Sequence, residues 1–399
     1  MLSMSNRFQM PSTDAVDLTG RTILQVVPRL ETGGAEITTM EMAAAIVRAG
    51  GRALVASEGG ALESRIEAEG GEIVHMPVAS KTPLTLWRNV GRLARLMQDE
   101  NVDLIHGRSR APCWSALFAA KRTDRPYVTT FHSTVHDTPQ AKVLYNSSLV
   151  RGQISIANSH YTASRIEAVY PWVKSRLRVV PRGCDERALA PENFSNAERA
   201  AKRAAWGVDE DAFVVICPAR VTNLKGQHIL LEAMGLLKTQ RQPHLICVGS
   251  AQGRDDYVAA LKRRASEIGI GNRFGLTGLE TDMPSAYAAA DLAIVPTIRP
   301  EPFGRTIIEA QAAGLPVIGS DAGGYRETII AKAPEDGGTG WLSEMGNAPA
   351  LAAQIDAALS MPKAGLSKLG ENGRANVLTQ YTRNAMCNRT LNVYQELLK

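Results

Sequence analysis

Short apolar runs alternate with stretches of helical period through most of this chain. Strands are predicted over 22–28, 53–57, 72–76, 102–106, 126–132, 152–158 and 177–181. Between them apolar residues recur every three or four positions, which predicts helices over 37–49, 84–100 and 111–121. Regular strand–helix alternation implies a parallel sheet covered by helices on both faces. The polar stretch 186–211 interrupts the pattern and reads as a connector carrying a short helix of its own. Alternation then restarts with strands over 213–218, 244–249, 273–277, 292–296 and 316–319, and the chain is helical in pattern from 348 onward. The expectation is two doubly wound α/β domains, 20–185 and 212–382.

Length agrees with that division, since 399 residues is long for one core and ordinary for two. A composition of 44% hydrophobic and 21% charged residues is that of a globular protein, with no apolar run long enough to cross a bilayer. Residues 1–19 are polar, lack the apolar core of a secretory signal and read as a disordered tail. Five scattered cysteines, without metal-ligand spacing, read as free thiols of a reducing cytoplasm. The net charge of +5 is unevenly placed: between residues 81 and 187 cations such as Arg88, Arg92, Arg95, Lys121 and Arg122 outnumber carboxylates. No aromatic-basic nucleic-acid motif accompanies them. A solvated face, an anionic lipid surface or a phosphorylated glycan remain as explanations.

The densest chemistry lies in Glu301-Pro302-Phe303-Gly304-Arg305-Thr306-Ile307-Ile308-Glu309. One carboxylate precedes a predicted helix and the other falls in its second turn. The exposed N–H groups of Phe303, Gly304, Arg305 and Thr306 suit phosphate, and ionised carboxylates accept hydrogen bonds from sugar hydroxyls. Arg220 and Lys225-Gly226 follow the strand at 213–218, placing two cations at the carboxyl end of a parallel strand, where such sheets bind ligands. Gly33-Gly34 joins the first strand to the first helix and lets the backbone approach a ligand, although the loop is no G-x-G-x-x-G dinucleotide fingerprint. His132 ends a strand, Gly249 and Leu279 follow two others, and Arg108 and Arg110 after 102–106 could meet an anionic acceptor. Ser159 reads as a helix cap, and Asp209-Glu210-Asp211 as solvated linker rather than a metal motif.

The run from Glu301 to Glu309 resembles the Glu-x7-Glu signature of retaining nucleotide-sugar glycosyltransferases of the GT-B fold, specifically glycosyltransferase family 4. The resemblance extends from about residue 22 to 399. It implies two Rossmann-like domains facing across a cleft, with the last helix, 383–399, returning to the N-terminal domain. It also implies that Glu309 holds the nucleotide ribose, that Glu301 holds the transferred sugar, and that Arg220 and Lys225 stabilise the departing diphosphate. The family's Gly-Gly-Ala-Glu loop matches Gly33 and Gly34, its Thr-x-His position matches His132, and its nucleoside contacts match Gly249 and Leu279. Arg305 departs from the family, which often has a hydrophobic residue there. A UDP- or GDP-hexose donor follows, with no metal or cofactor, and a glycan or lipid-linked acceptor of lipopolysaccharide or another surface polysaccharide. The enzyme would be cytoplasmic, or peripheral on the inner face of the plasma membrane. An epimerase or a non-catalytic sugar-nucleotide regulator is the alternative, and the missing fingerprint disfavours a nicotinamide dehydrogenase.

Overall fold

The computed structural model describes residues 16–31 and 33–399. The chain divides into two units, one of residues 1–181 and 384–399 and the other of Arg182–Arg383. In the first unit seven strands form one parallel sheet: β1 (Thr22–Val26), β2 (Arg52–Ser57), β3 (Glu72–His75), β4 (Leu104–Gly107), β5 (Tyr127–Phe131), β6 (Ile154–Ala157) and β7 (Leu177–Val179). Their order is β3-β2-β1-β4-β5-β6-β7. The second unit has six: β8 (Val214–Pro218), β9 (His244–Val248), β10 (Phe274–Gly278), β11 (Leu292–Val295), β12 (Val317–Ser320) and β13 (Gly340–Ser343), in the order β10-β9-β8-β11-β12-β13. All pairings are parallel.

Both orders reverse direction once, between β1 and β4 and between β8 and β11. The loops leaving these strands diverge there to opposite faces of the sheet, which opens a crevice at the strands' carboxyl ends. Central strands such as β8 (VVICP) and β11 (LAIV) are wholly buried, so their apolar runs need no alternation. In the first unit, Leu24, Val26 and Leu54 pack with Leu93 and Met97. The alternate residues Ile23 and Val55 pack instead with Ile46, Leu391 and Tyr394. The helix Arg383–Leu398 thereby completes one face of the first unit's core.

Several boundaries differ from the sequence reading. The tail expected over 1–19 lies outside the described residues as far as 15. Beyond that point Leu18 is buried, and its N–H donates to the Ala49 carbonyl (2.7 Å), so the chain is packed before β1 begins. The expected connector belongs to the second unit. Its helix Asn196–Ala205 starts with a capping box of Ser195 and Glu198, and Arg203 binds Asp291 (3.0 Å) and the Ala289 carbonyl (2.9 Å). Strand β13 is an addition: only Trp341 and Leu342 in it are large and apolar, too little for a strand pattern. Among the described residues no helix is long and apolar enough to cross a membrane.

Candidate active site

Three loops at the carboxyl edge of the second sheet are fastened to each other through their backbones. The first, after β8, carries Arg220 and Lys225. The Leu224 carbonyl accepts from the Thr297 hydroxyl (3.0 Å) and the Ile298 N–H (3.1 Å), which belong to the loop after β11. Gly226 sits at φ +74°, and a Cβ there would lie 1.8 Å from the Pro296 carbonyl oxygen, so the two loops touch where no side chain fits. Gln227 donates to the Arg220 carbonyl (2.9 Å) and fixes the turn between the two cations.

The loop after β11 runs to Gly304 and opens the helix Arg305–Ala312. Its partner is the loop after β12, where the Gly324 N–H donates to the Glu301 carbonyl (2.9 Å). Gly304 adopts φ +93° with the Tyr325 ring against it, 2.1 Å from where a Cβ would stand. Burial, and then the Glu301 carboxylate, push the Tyr325 phenol well above its usual pKa.

This scaffold brings Lys225 and Glu301, 76 residues apart in the chain, to 2.5 Å between Nζ and Oε1, with both side chains about three-quarters covered. Glu309 is held differently. Arg305 Nε donates to its Oε1 (2.9 Å) and the Tyr287 hydroxyl to its Oε2 (3.3 Å). Burial and the adjacent Glu309 carboxylate push the Tyr287 phenol well above its ordinary value, so it remains a donor at any physiological pH. Arg305 is therefore engaged with Glu309 one helical turn on.

The remaining expected residues are placed as follows. Arg220 is exposed, its Nη1 3.4 Å from the Gln252 side-chain oxygen, which also receives Arg254 Nη1 (3.4 Å). Gly249 allows the chain after β9 to approach the Ala219 carbonyl, 2.2 Å from where a Cβ would stand. Leu279, after β10, is 77% exposed. The Phe303 ring is buried and meets Tyr381 edge-on (5.7 Å between centroids), so it anchors the loop and its side chain is not offered to a ligand.

Within the first unit, Gly33 and Gly34 start the helix Gly34–Arg48 without a side-chain cap. His132 follows β5. Neither of its ring nitrogens has a hydrogen-bond partner among the described residues, although both are shielded from solvent. Beside it Arg110 Nη2 donates to the Ser133 hydroxyl (2.7 Å), while Arg110 Nε is also buried and unsatisfied. Arg108 departs from the expected acceptor role. It is only 3% exposed, and its Nε donates to Gln25 (3.0 Å). Burial lowers its pKa while the Tyr394 hydroxyl opposes that shift. A guanidinium so enclosed braces the core against the last helix and does not face an acceptor. Ser159 caps the helix His160–Val169, accepting from the Thr162 N–H (2.9 Å).

Tyr287, Tyr325 and the Gly323-Gly324 pair are not among the residues that the sequence motifs single out. The glycine pair following a strand was a usable signal; the tyrosines, whose partners are distant in the chain, had none.

Residues 198–376 match the family described as Glycosyl transferases group 1, and residues 32–187 match Glycosyltransferase Family 4. The D-inositol 3-phosphate glycosyltransferase of Jonesia denitrificans is 27% identical over 248 residues, which make up 58% of this chain and 58% of that protein. The chain thus spans little more than half the length of that relative. A solved glycosyltransferase of Rickettsia africae is 31% identical, with TM-score 0.87, over 95% of this chain and 99% of that one. Anabaena HepE, solved in complex with UDP and glucose, shares the fold at 24% identity and TM-score 0.79, over 94% of this chain and 100% of that one.

Two glycines test the scaffold. Gly304→Ala is expected to lower stability by more than the roughly 1–2 kcal/mol of a left-handed backbone, because the Tyr325 ring must also move. Gly34→Ala, with nothing within 4 Å of its added carbon, is expected to stay within about 0.5 kcal/mol of the parent. Urea unfolding of both variants measures the difference.

Proposed function

We propose that this chain, which belongs to the group 1 glycosyltransferases of the GT-B fold, moves a hexose from a nucleoside-diphosphate sugar to an acceptor hydroxyl with retention of anomeric configuration. The observation that carries the reading is the pair of differently held carboxylates, Glu301 on Lys225 in the loop ahead of the helix Arg305–Ala312 and Glu309 on Arg305 and Tyr287 in that helix's second turn. Glu309, with both oxygens oriented, presents its remaining lone pairs to the ribose hydroxyls. Glu301 accepts from hydroxyls of the transferred sugar. The ammonium that holds Glu301 also faces the diphosphate, so a single side chain aligns the sugar's anchor and neutralises the leaving group. The donor is a UDP- or GDP-hexose, and Anabaena HepE, solved in complex with UDP and glucose, supports the uridine form.

In this reading the bond from the anomeric carbon to the diphosphate oxygen breaks, with its electron pair going to the diphosphate. The acceptor oxygen bonds to the same face of the sugar, and its proton passes to the departing phosphate. Lys225 and Arg220 stabilise the charge that develops, and His132, whose ring nitrogens have no hydrogen-bond partner among the described residues, is assigned to the sugar. No metal or cofactor takes part. The acceptor is a glycan or lipid-linked saccharide of lipopolysaccharide or another surface polysaccharide, reached at the inner face of the plasma membrane. A second reading, a small phosphorylated polyol, draws on the name of the Jonesia denitrificans relative and on the unsatisfied Arg110 Nε. A non-catalytic regulator is disfavoured by the presence of Glu301, Glu309, Arg220 and Lys225 together, and an epimerase would need further acid–base carboxylates beside the donor.

Release of nucleoside diphosphate from a panel of sugar nucleotides, with saccharide and inositol phosphate acceptors, tests the activity. Proton magnetic resonance of the product should show the donor's anomeric configuration, and an inverted product would refute the mechanism. Lys225→Ala should reduce turnover about 10²–10³-fold, the loss typical of an oxyanion donor, while nucleoside monophosphate binds as before. Turnover within a few-fold of the parent would remove Lys225 from the diphosphate.

A further inference from the structure

Among the described residues of the first unit, the large exposed apolar side chains all lie on one helical layer: Leu84 (57%), Trp87 (74%), Phe118 (48%), Leu144 (60%) and Trp172 (47%). Single exposed apolar residues are ordinary, and a cluster confined to one face is not. The layer consists of helices Pro83–Asp99, Arg110–Thr123 and Gln140–Asn146 with the turn Pro171–Arg176. It covers the sheet face opposite to the one packed by the helices Gly34–Arg48 and Arg383–Leu398.

Direct contacts join these residues into one surface. Ser115 donates to the Leu86 carbonyl (2.8 Å), holding the first helix against the second. Trp114 Nε1 donates to the Tyr145 carbonyl (3.0 Å), holding the second against the third, and its ring stacks with Phe118 (6.3 Å). The Arg151 guanidinium lies 5.5 Å from the Trp114 ring and 5.7 Å from the Trp172 ring, and Arg176 lies 5.1 Å from Trp172. The aromatic rings are thus laced with guanidinium groups.

The charges of this layer differ from those elsewhere in the unit. Arg21 pairs with Asp103, Arg48 with Glu69, Arg52 with Glu72 and Glu100, and Arg178 with Glu396. Next to the aromatic layer Arg165 reaches Asp137 (3.5 Å), but on and around it Arg88, Lys121, Lys142, Arg151 and Lys174 are exposed and form no ion pair among the described residues. Cations left for an external anion, set around tryptophan and leucine, match a lipid surface with acidic headgroups. The rings sit at headgroup depth, and the cations meet phosphate.

We propose that this layer is a membrane-docking face for an anionic leaflet, with Leu84 and Trp87 entering the interface and the surrounding cations contacting headgroups. The proposal rests on the lipid-linked acceptor reading above and names the surface that would bring the enzyme to such an acceptor.

Sedimentation of the full chain with vesicles tests it, comparing phosphatidylcholine alone with a mixture containing phosphatidylglycerol. The parent should bind the mixed vesicles, and less so as salt rises. Leu84→Ser with Trp87→Ser should weaken that binding roughly tenfold or more, and Arg88→Gln with Lys174→Gln roughly fivefold per charge. These side chains are exposed, so thermal unfolding of the variants should match the parent, as should donor affinity. If the parent binds mixed vesicles and the Leu84/Trp87 variant binds equally, this face is not the contact, although membrane association itself stands. If the parent binds neither vesicle, both ideas fail. A parent that instead self-associates in solution, with the variant monomeric and neither binding lipid, would make the face a contact between copies and overturn the proposal.

Discussion

Lys225 and Glu301 meet because three loops are locked edge to edge at the carboxyl end of one parallel sheet. The Leu224 carbonyl takes two hydrogen bonds from the loop after β11, and the Glu301 carbonyl takes one from the loop after β12. At Gly226 and Gly304 neighbouring groups stand where a side chain would begin. A partly exposed ion pair adds at most about 1 kcal/mol to folding, so the pair does not build this arrangement. Backbone contacts build it, and the pair is what they hold in place. Rigid loops around a charged pair are the form expected of a site that must stabilise charge as it develops, since donors aligned beforehand need no reorganisation during the reaction.

The two glutamates share a helix terminus yet have different neighbours. Glu309 has an arginine one turn before it and a buried phenol beneath it, so both its oxygens are directed. Glu301 lies in the loop ahead of the helix and depends on one ammonium for its orientation. A carboxylate fixed on two sides suits a part of the ligand that stays unchanged. In the proposed reaction, one held by a single cation suits the part where bonds change, because that cation's partner would shift as charge moves to the leaving group.

Much of this was legible in the chain. Buried strands such as β8 and β11 are nearly continuous apolar runs, and the Glu301 to Glu309 interval places both carboxylates correctly around a helix start. What stayed hidden depends on tertiary contact. Tyr287 reaches Glu309, and Tyr325 closes on Gly304, through folding that no local pattern records. β13 carries too few apolar residues to stand out. Arg108 follows a strand, where a cation ordinarily reaches solvent, but Gln25 and the last helix's Tyr394 enclose it. Phe303 sits inside the Glu301 to Glu309 motif while its ring serves the core.

The central claim is that Glu301 recognises the sugar while its lysine partner recognises the diphosphate. Calorimetric titration of the parent and of Glu301→Gln, each with a nucleoside diphosphate and with the matching nucleoside-diphosphate hexose, tests it most directly. The account predicts that the variant keeps its affinity for the diphosphate and loses the additional affinity that the hexose confers. Equal loss for both ligands, or for neither, would contradict it.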